Sequence, residues 1–310
     1  MKIYWKEAGI LFGVITIAIV GMNGRTAPPW RAREAAPNLS QEEAALQEST
    51  KRLAVETLGL KLEGNPESGH SANFSGLRTE NLTFTQRLDS RTFIAYDRRF
   101  SQTKEKGVYR ESDEVLLKKS RSVLESLKIP MNEVESEKVL QEKTQVGQRV
   151  GKTGKIRKEA VELGKKYALV TRHVAGVPVF SSRAMIALIP GGEIGFLEVH
   201  WPEIPAQTIE EARRYHEIVQ KKWQAPALQG ARVESVTAGI IHSPAAATAM
   251  DIYPVIRVIY APEDKRQGKK PVGYFDANGK PVAVPRTFLE PPHEDLKQTR
   301  TAPKQTTPKQ

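Results

Sequence analysis

The stretch from Tyr167 to Trp201 constrains this chain more than any other. Apolar runs rich in β-branched and aromatic residues are broken only at Ala175-Gly176 and at Pro190-Gly191-Gly192. Short runs of this kind, bounded by turn residues, predict three consecutive strands joined by two tight turns.

A chain of 310 residues is long enough for two domains, or for one domain with long tails. At 39% apolar and 7% aromatic it is lean, and its prolines and glycines collect near the ends and between elements. There is no cysteine. Disulfides, cysteine-ligated zinc, thiol catalysis and attachment through an N-terminal cysteine are therefore excluded. The net charge of +11 is uneven: from Lys138 to Arg183 there are eleven basic residues against three acidic ones, Glu142, Glu159 and Glu162. A patch of that kind suits nucleic acid, anionic lipid or an acidic protein face, and also suits a solvated, mobile connector.

Lys2 and Lys6 precede an uncharged run from Ala8 to Met22. The pattern is that of an export signal, yet the run falls short of the roughly 20 residues that span a bilayer. Around Gly21 to Arg25 no position has small residues at both −1 and −3 of a cleavage point. Residues 1–24 are thus expected to be an uncleaved signal anchor, or else a cleaved signal peptide. Either way the bulk of the chain is placed outside the cytoplasm. It would be single-pass at the cell membrane, or secreted if the signal is cut.

Residues 25–39 form a Pro/Arg linker with Pro28, Pro29 and Pro37. Ser40 and Glu43 then offer a capping box for a helix reaching about Leu58. Period-two alternation at Leu82 to Thr85 and the run Thr92 to Phe100 predict an antiparallel strand pair, followed by a helix from Ser112 that Pro130 ends. The predicted unit, residues 40–137, is a helix plus strand, strand, helix. Residues 138–166 are expected to be a basic connector. Beyond the three strands, Thr208 is the expected N-cap of a helix whose apolar face includes Ala212, Tyr215 and Trp223. Apolar runs follow at Ala231 to His242 and Ile252 to Tyr260, then a hairpin with Asn278-Gly279 at its tip. Residues 285–310 read as a disordered tail.

No catalytic, cofactor-binding or metal-ligating residue is assigned, and no cofactor is expected. Gly147, Gly151, Lys152 and Thr153 imitate a phosphate-binding loop, but Gly147 to Gly151 spans one residue too few. None of the six histidines pairs with another at helical metal-ligand spacing. His173 and His200 could lie on neighbouring strands, with Glu198 on the face of His200, an arrangement that would fit a metal and fits a half-buried sheet histidine better. Ser181-Ser182 lies on or beside a strand without a nucleophile elbow.

A strand ending in Gly176-Val-Pro-Val179, a second apolar strand, a glycine turn and a third strand resemble the propeptide repeats that precede secreted metallopeptidases. From Thr208 onward, the helix, Tyr253-Pro-Val-Ile-Arg-Val258 and Gly273-Tyr-Phe-Asp-Ala-Asn-Gly-Lys280 resemble a PepSY domain, so the similarity covers residues 167–284. The resemblance implies an α+β fold in which helices pack on curled antiparallel sheets in PepSY/cystatin-like layers, behind an N-terminal transmembrane or signal helix. It also implies an exported or membrane-anchored protein that binds or restrains a partner. The pattern departs from the propeptide one in that no His-Glu-x-x-His motif and no peptidase domain are read in these 310 residues, so inhibition in cis is not expected. The expected function is a membrane-anchored, extracytoplasmic, non-catalytic binding or regulatory module. It would hold the membrane through the N-terminal helix and meet an envelope protein or peptidase in trans. A basic nucleic-acid or anionic-polymer binder using residues 138–183 is the alternative, and a hydrolase with an unrecognised site is the second. The absence of aromatic residues between Lys138 and Lys166 disfavours nucleic acid.

Overall fold

The structure, a computed structural model, describes residues 2–7, 41–71, 74–87, 90–102, 111–150, 155–221, 223–242, 251–263 and 270–283. Its strands are β1 (Lys2–Glu7), β2 (Glu67–Ser71), β3 (Phe74–Arg78), β4 (Leu82–Arg87), β5 (Thr92–Asp97) and β6 (Val134–Val150). After these come β7 (Lys155–Val174), β8 (Val177–Leu188), β9 (Ile194–His200), β10 (Ala231–His242), β11 (Ile252–Pro262) and β12 (Val272–Phe275). The helices are α1 (Gln41–Arg52, continued by a π-helical turn Leu53–Thr57), α2 (Arg98–Gln102), α3 (Asp113–Ser126) and α4 (Ala206–Lys221).

All twelve strands belong to one mixed sheet. Its order is β1-β6-β7-β8-β9-β5-β4-β3-β2, with β10, β11 and β12 branching from β8. This corrects the expected fold of helices packed on curled antiparallel sheets: a single large sheet dominates and the helices are few. Two pairings account for the difference. Strand β5 hydrogen-bonds to β9 from Thr92↔His200 to Tyr96↔Phe196, so the first strand pair and the later three strands are laid edge to edge. Residues 138–166, expected to be a connector, lie almost wholly within the β6–β7 hairpin, paired from Val134↔Arg172 to Val150↔Lys155. Charge had disguised them. Lys, Gln and Glu dominate the stretch and leave no apolar alternation, so its strand character is invisible to a search for a buried face.

The expected signal or transmembrane helix falls on residues 1–24. Lys2–Glu7 forms β1, antiparallel to residues 143–148, and the apolar run itself lies outside the described residues, as does the tail 285–310. Among the described residues no helix is long and apolar enough to cross a membrane.

Local expectations fared better. Ser112 caps α3, its Oγ accepting from Val115 N at 3.3 Å, and Leu116, Val123 and Leu124 bury its stripe, although Val115 itself is half exposed. Helix α4 begins at Ala206, so Thr208 is a buried residue of its first turn rather than its cap. The turns fall where glycine allows positive φ, with Ala175 at 50° and Gly176 at 80°, and Gly191 at 99° and Gly192 at 81°.

Strands β8 and β9 are buried on both faces, which is why they read as nearly unbroken apolar runs. On one face Ala184, Ile186, Leu197 and Val199 join Leu77, Phe84, Ala54 and Leu124 beneath α1 and α3. On the other, Met185 and Leu169 lie beside an aromatic trio: Phe100 and Phe196 stack at 6.2 Å, and Tyr167 meets each edge-on at 5.8 and 6.1 Å.

The branch forms where β8 turns out of register. Thr171 pairs with Arg183 but Arg172 pairs with Val179, so Phe180, Ser181 and Ser182 bulge from the ladder. Val179 then pairs with Ile240 of β10, the one parallel pairing among the described residues. The Phe180 ring closes over Gly239, where a Cβ would come within 2.6 Å of that ring and of the Pro178 carbonyl oxygen. A Gly239→Ala substitution is therefore expected to lower stability by about 1–3 kcal/mol through overpacking. The check is a reduced urea midpoint; an unchanged midpoint would show that the branch is loosely packed.

Candidate functional site

Polar side chains converge inside the sheet at two places flanking the branch. The first grows from β8 and β9. Arg183 pairs with His200 across the ladder, and Glu198 lies two residues from His200 on the same face. Arg183 Nη2 donates to Glu198 Oε1 at 3.1 Å, and His200 Nε2 lies 2.9 Å from the same oxygen. Thr92 Oγ1, on β5, is 3.4 Å from His200 Nδ1.

Glu198 is only 3% exposed. Burial pushes its carboxyl upward, but the Arg183 charge and the His200 hydrogen bond outweigh that and hold its pKa at about 2. The carboxylate is thus locked as an anion between two donors.

The second place lies at the β8 bulge. Glu133, in the 3-10 turn Met131–Glu133, uses Oε2 to accept from Arg172 Nε at 2.9 Å and from Trp201 Nε1 at 2.8 Å. Arg172 Nη1 donates to the Pro202 carbonyl oxygen at 2.6 Å and to Ser182 Oγ at 3.2 Å, and its guanidinium lies 5.2 Å from the Trp201 ring centre. Burial pulls that guanidinium below its ordinary pKa while Glu133 pushes it back, and a guanidinium stays cationic throughout. Ser182 Oγ shares a 3.1 Å hydrogen bond with His242 Nε2, and Ser181 Oγ accepts from His242 N at 2.7 Å. Strands β7, β8 and β10, the 3-10 turn and the loop after β9 are thereby tied at one point.

Residues singled out from the sequence are only partly brought together. Glu198 and His200 meet as their spacing predicts. His173 lies near the end of β7, which β8 separates from β9, and its Nδ1 accepts from Gly176 N at 3.4 Å. Among the described residues no three of His, Asp or Glu are gathered as a metal would need. Ser182 and His242 have the atoms of a nucleophile–base pair, but they are 2% and 1% exposed, and Arg172 occupies the same hydroxyl. Their chemistry is that of a structural tie.

Arg172, Glu133 and Trp201 went unmarked as a set, because Arg172 lies 39 positions from Glu133 and 29 from Trp201. A usable signal did exist: one arginine amid the apolar strand Tyr167 to Val174 has to find a buried partner. Arg172 and Arg183 also shrink the basic stretch, since both charges are neutralised internally. Lys166 is held by Asp113 at 2.6 Å, and Lys165 sits 4.0 Å over the Phe100 ring.

No family profile matches the chain, and no curated protein does. Among solved structures it is similar to an uncharacterised protein from Eubacterium rectale ATCC 33656. The match has a TM-score of 0.40 and 12% identity, and covers 79% of this chain and 83% of that one.

Glu198 makes the pH dependence predictable. Its folded pKa of about 2 lies below the ordinary value of 4.5. The stability it contributes is complete above 4.5 and is lost as pH falls toward 2. Glu198→Gln would leave Arg183 buried beside a neutral amide, lowering stability at neutral pH by on the order of 3 kcal/mol. It would also flatten the acid limb between pH 4.5 and 2. Denaturant titrations across that range test both effects.

Proposed function

We propose that this chain is a membrane-attached, extracytoplasmic binding or regulatory module that acts through the surfaces of its sheet on a protein partner. The observation that carries the membrane half is the uncharged run Ala8 to Met22 behind Lys2 and Lys6. The binding half is supported by the way the buried polar residues are used. Arg183, Glu198 and His200, and Arg172, Glu133 and Trp201, satisfy one another inside the sheet. The resemblance of residues 167–284 to propeptide and PepSY domains points the same way, toward an envelope protein or a peptidase engaged in trans.

A nucleic-acid reading of residues 138–183 is weakened by the loss of Arg172 and Arg183 to internal pairs. Insertion also has a structural requirement. A run that crosses the bilayer once puts Lys2–Glu7 on the opposite side from everything after it, so β1 has to leave β6 when the chain inserts.

The experiment joins topology and processing. A reporter active only outside the cytoplasm is fused after Gln310, and the mature N-terminus is determined by mass spectrometry. The expected outcome is an active reporter with residues 1–24 retained. Activity with a new N-terminus near Gly24 would make the protein secreted or periplasmic, and a silent reporter would sink the reading of export.

A further inference from the structure

The sheet ends on one side at β1, which pairs with β6 over six positions, from Lys2↔Gln148 to Glu7↔Lys143, and with no other strand among the described residues. Along the same edge, from Val134 to Glu142, β6 carries no strand among the described residues. What holds β1 is therefore a single antiparallel ladder. No residue separates its last position, Glu7, from the uncharged run that starts at Ala8. The seat on β6 and a crossing of the bilayer by that run are alternatives, because the strand has no slack with which to reach back. Inserting the run strips this part of β6 of its outer neighbour and leaves a row of main-chain N–H and C=O groups without their ladder.

We infer that the β6 edge vacated by β1 is the docking site for an extended segment of the protein partner, added antiparallel opposite Lys143 to Gln148. The inference deepens the membrane-attached binding reading and rests on it for the release of β1. The argument for the occupant comes from β1 itself. A segment already seated on the edge shows that the edge accepts a strand, in which direction and in which register. Its sequence, Lys-Ile-Tyr-Trp-Lys-Glu, puts one aliphatic and two aromatic residues between charged ends, with no Gly or Pro, and such residues favour a strand. The partner segment is thus one of β-branched and aromatic residues flanked by charge. Main-chain hydrogen bonds give an added strand its affinity, whichever chain supplies it. While β1 is seated it competes from within the same molecule, at an effective concentration on the order of millimolar, and excludes a scarcer partner. Insertion removes the competitor, so docking is confined to chains already in the membrane. The opposite margin, β2, has five residues with Gly69 at its centre and offers a partner less.

The chain has no cysteine, so Tyr4→Cys with Val146→Cys, at facing positions of the ladder, allows one disulfide that locks β1 in its seat. The probe is a fluorescent peptide of sequence Lys-Ile-Tyr-Trp-Lys-Glu. Its anisotropy is followed with the full chain and phosphatidylcholine vesicles, while flotation reports attachment to the vesicles. The expected result is that the unaltered chain floats and binds the peptide, and that the locked chain binds it at least about tenfold more weakly, because its competent fraction is small. Reducing the disulfide should restore binding, which separates a covered edge from lost folding. A Tyr4→Pro chain, whose β1 cannot keep its ladder, should bind the peptide with or without vesicles. Equal binding by locked and unlocked chains, or no binding by the Tyr4→Pro chain, overturns the inference, and flotation of the unaltered chain in the same experiment spares the membrane reading. A chain that fails to float while its Tyr4→Pro variant binds the peptide sinks the membrane reading and keeps the docking edge. Sedimentation of the Tyr4→Pro chain as a dimer that the peptide dissociates would give the edge to a second copy and overturn the choice of partner.

Discussion

Strands β8 and β9 have hydrogen-bonding neighbours on both edges and buried side chains on both faces, and the remaining architecture follows from that double confinement. A strand enclosed in this way cannot turn a polar face to water. The helices α1 and α3 cover one side, the aromatic trio lines the other, and β5 and β7 close the edges. Arg183 and Glu198 are the exception that the confinement imposes. Each is a charge that would be costly alone, and they are tolerable because they face each other across adjacent strands with His200 completing the carboxylate's partners.

Arg172 plays the corresponding part at the branch. Its guanidinium bonds a carboxylate, a carbonyl and a hydroxyl from three separate segments, a division of labour that suits a planar fork of five donors and that a lysine could not reproduce. The bulge at Phe180 to Ser182 would otherwise leave polar groups facing an apolar interior. The arginine, the two serines and His242 fill that gap, and the sheet can divide there without a buried void in its bonding.

Much of this was legible one element at a time. The turns at Ala175-Gly176 and Pro190-Gly191-Gly192, the Ser112 cap and the shared face of Glu198 and His200 each follow from residues close together in sequence. What escaped was nonlocal. The pairing of β5 with β9 joins residues a hundred or more positions apart, and no local pattern records it. The β6–β7 hairpin escaped for another reason: a stretch dominated by Lys, Gln and Glu, with no alternating apolar face, looks the same in a strand as in a coil. Arg172 and Arg183 were counted as surface charge because charge is visible in a sequence and burial is not.

The far end of the sheet is β2, Glu67-Ser-Gly-His-Ser71, with Gly69 set against Gly76 of β3 and no strand on its other side among the described residues. An open edge is a template for another chain, yet this one offers no β-branched residue and no Phe, Tyr or Trp to reward pairing. A second copy would gain little by joining there, so the five residues of this margin disfavour the edge-to-edge growth that a more apolar margin would invite.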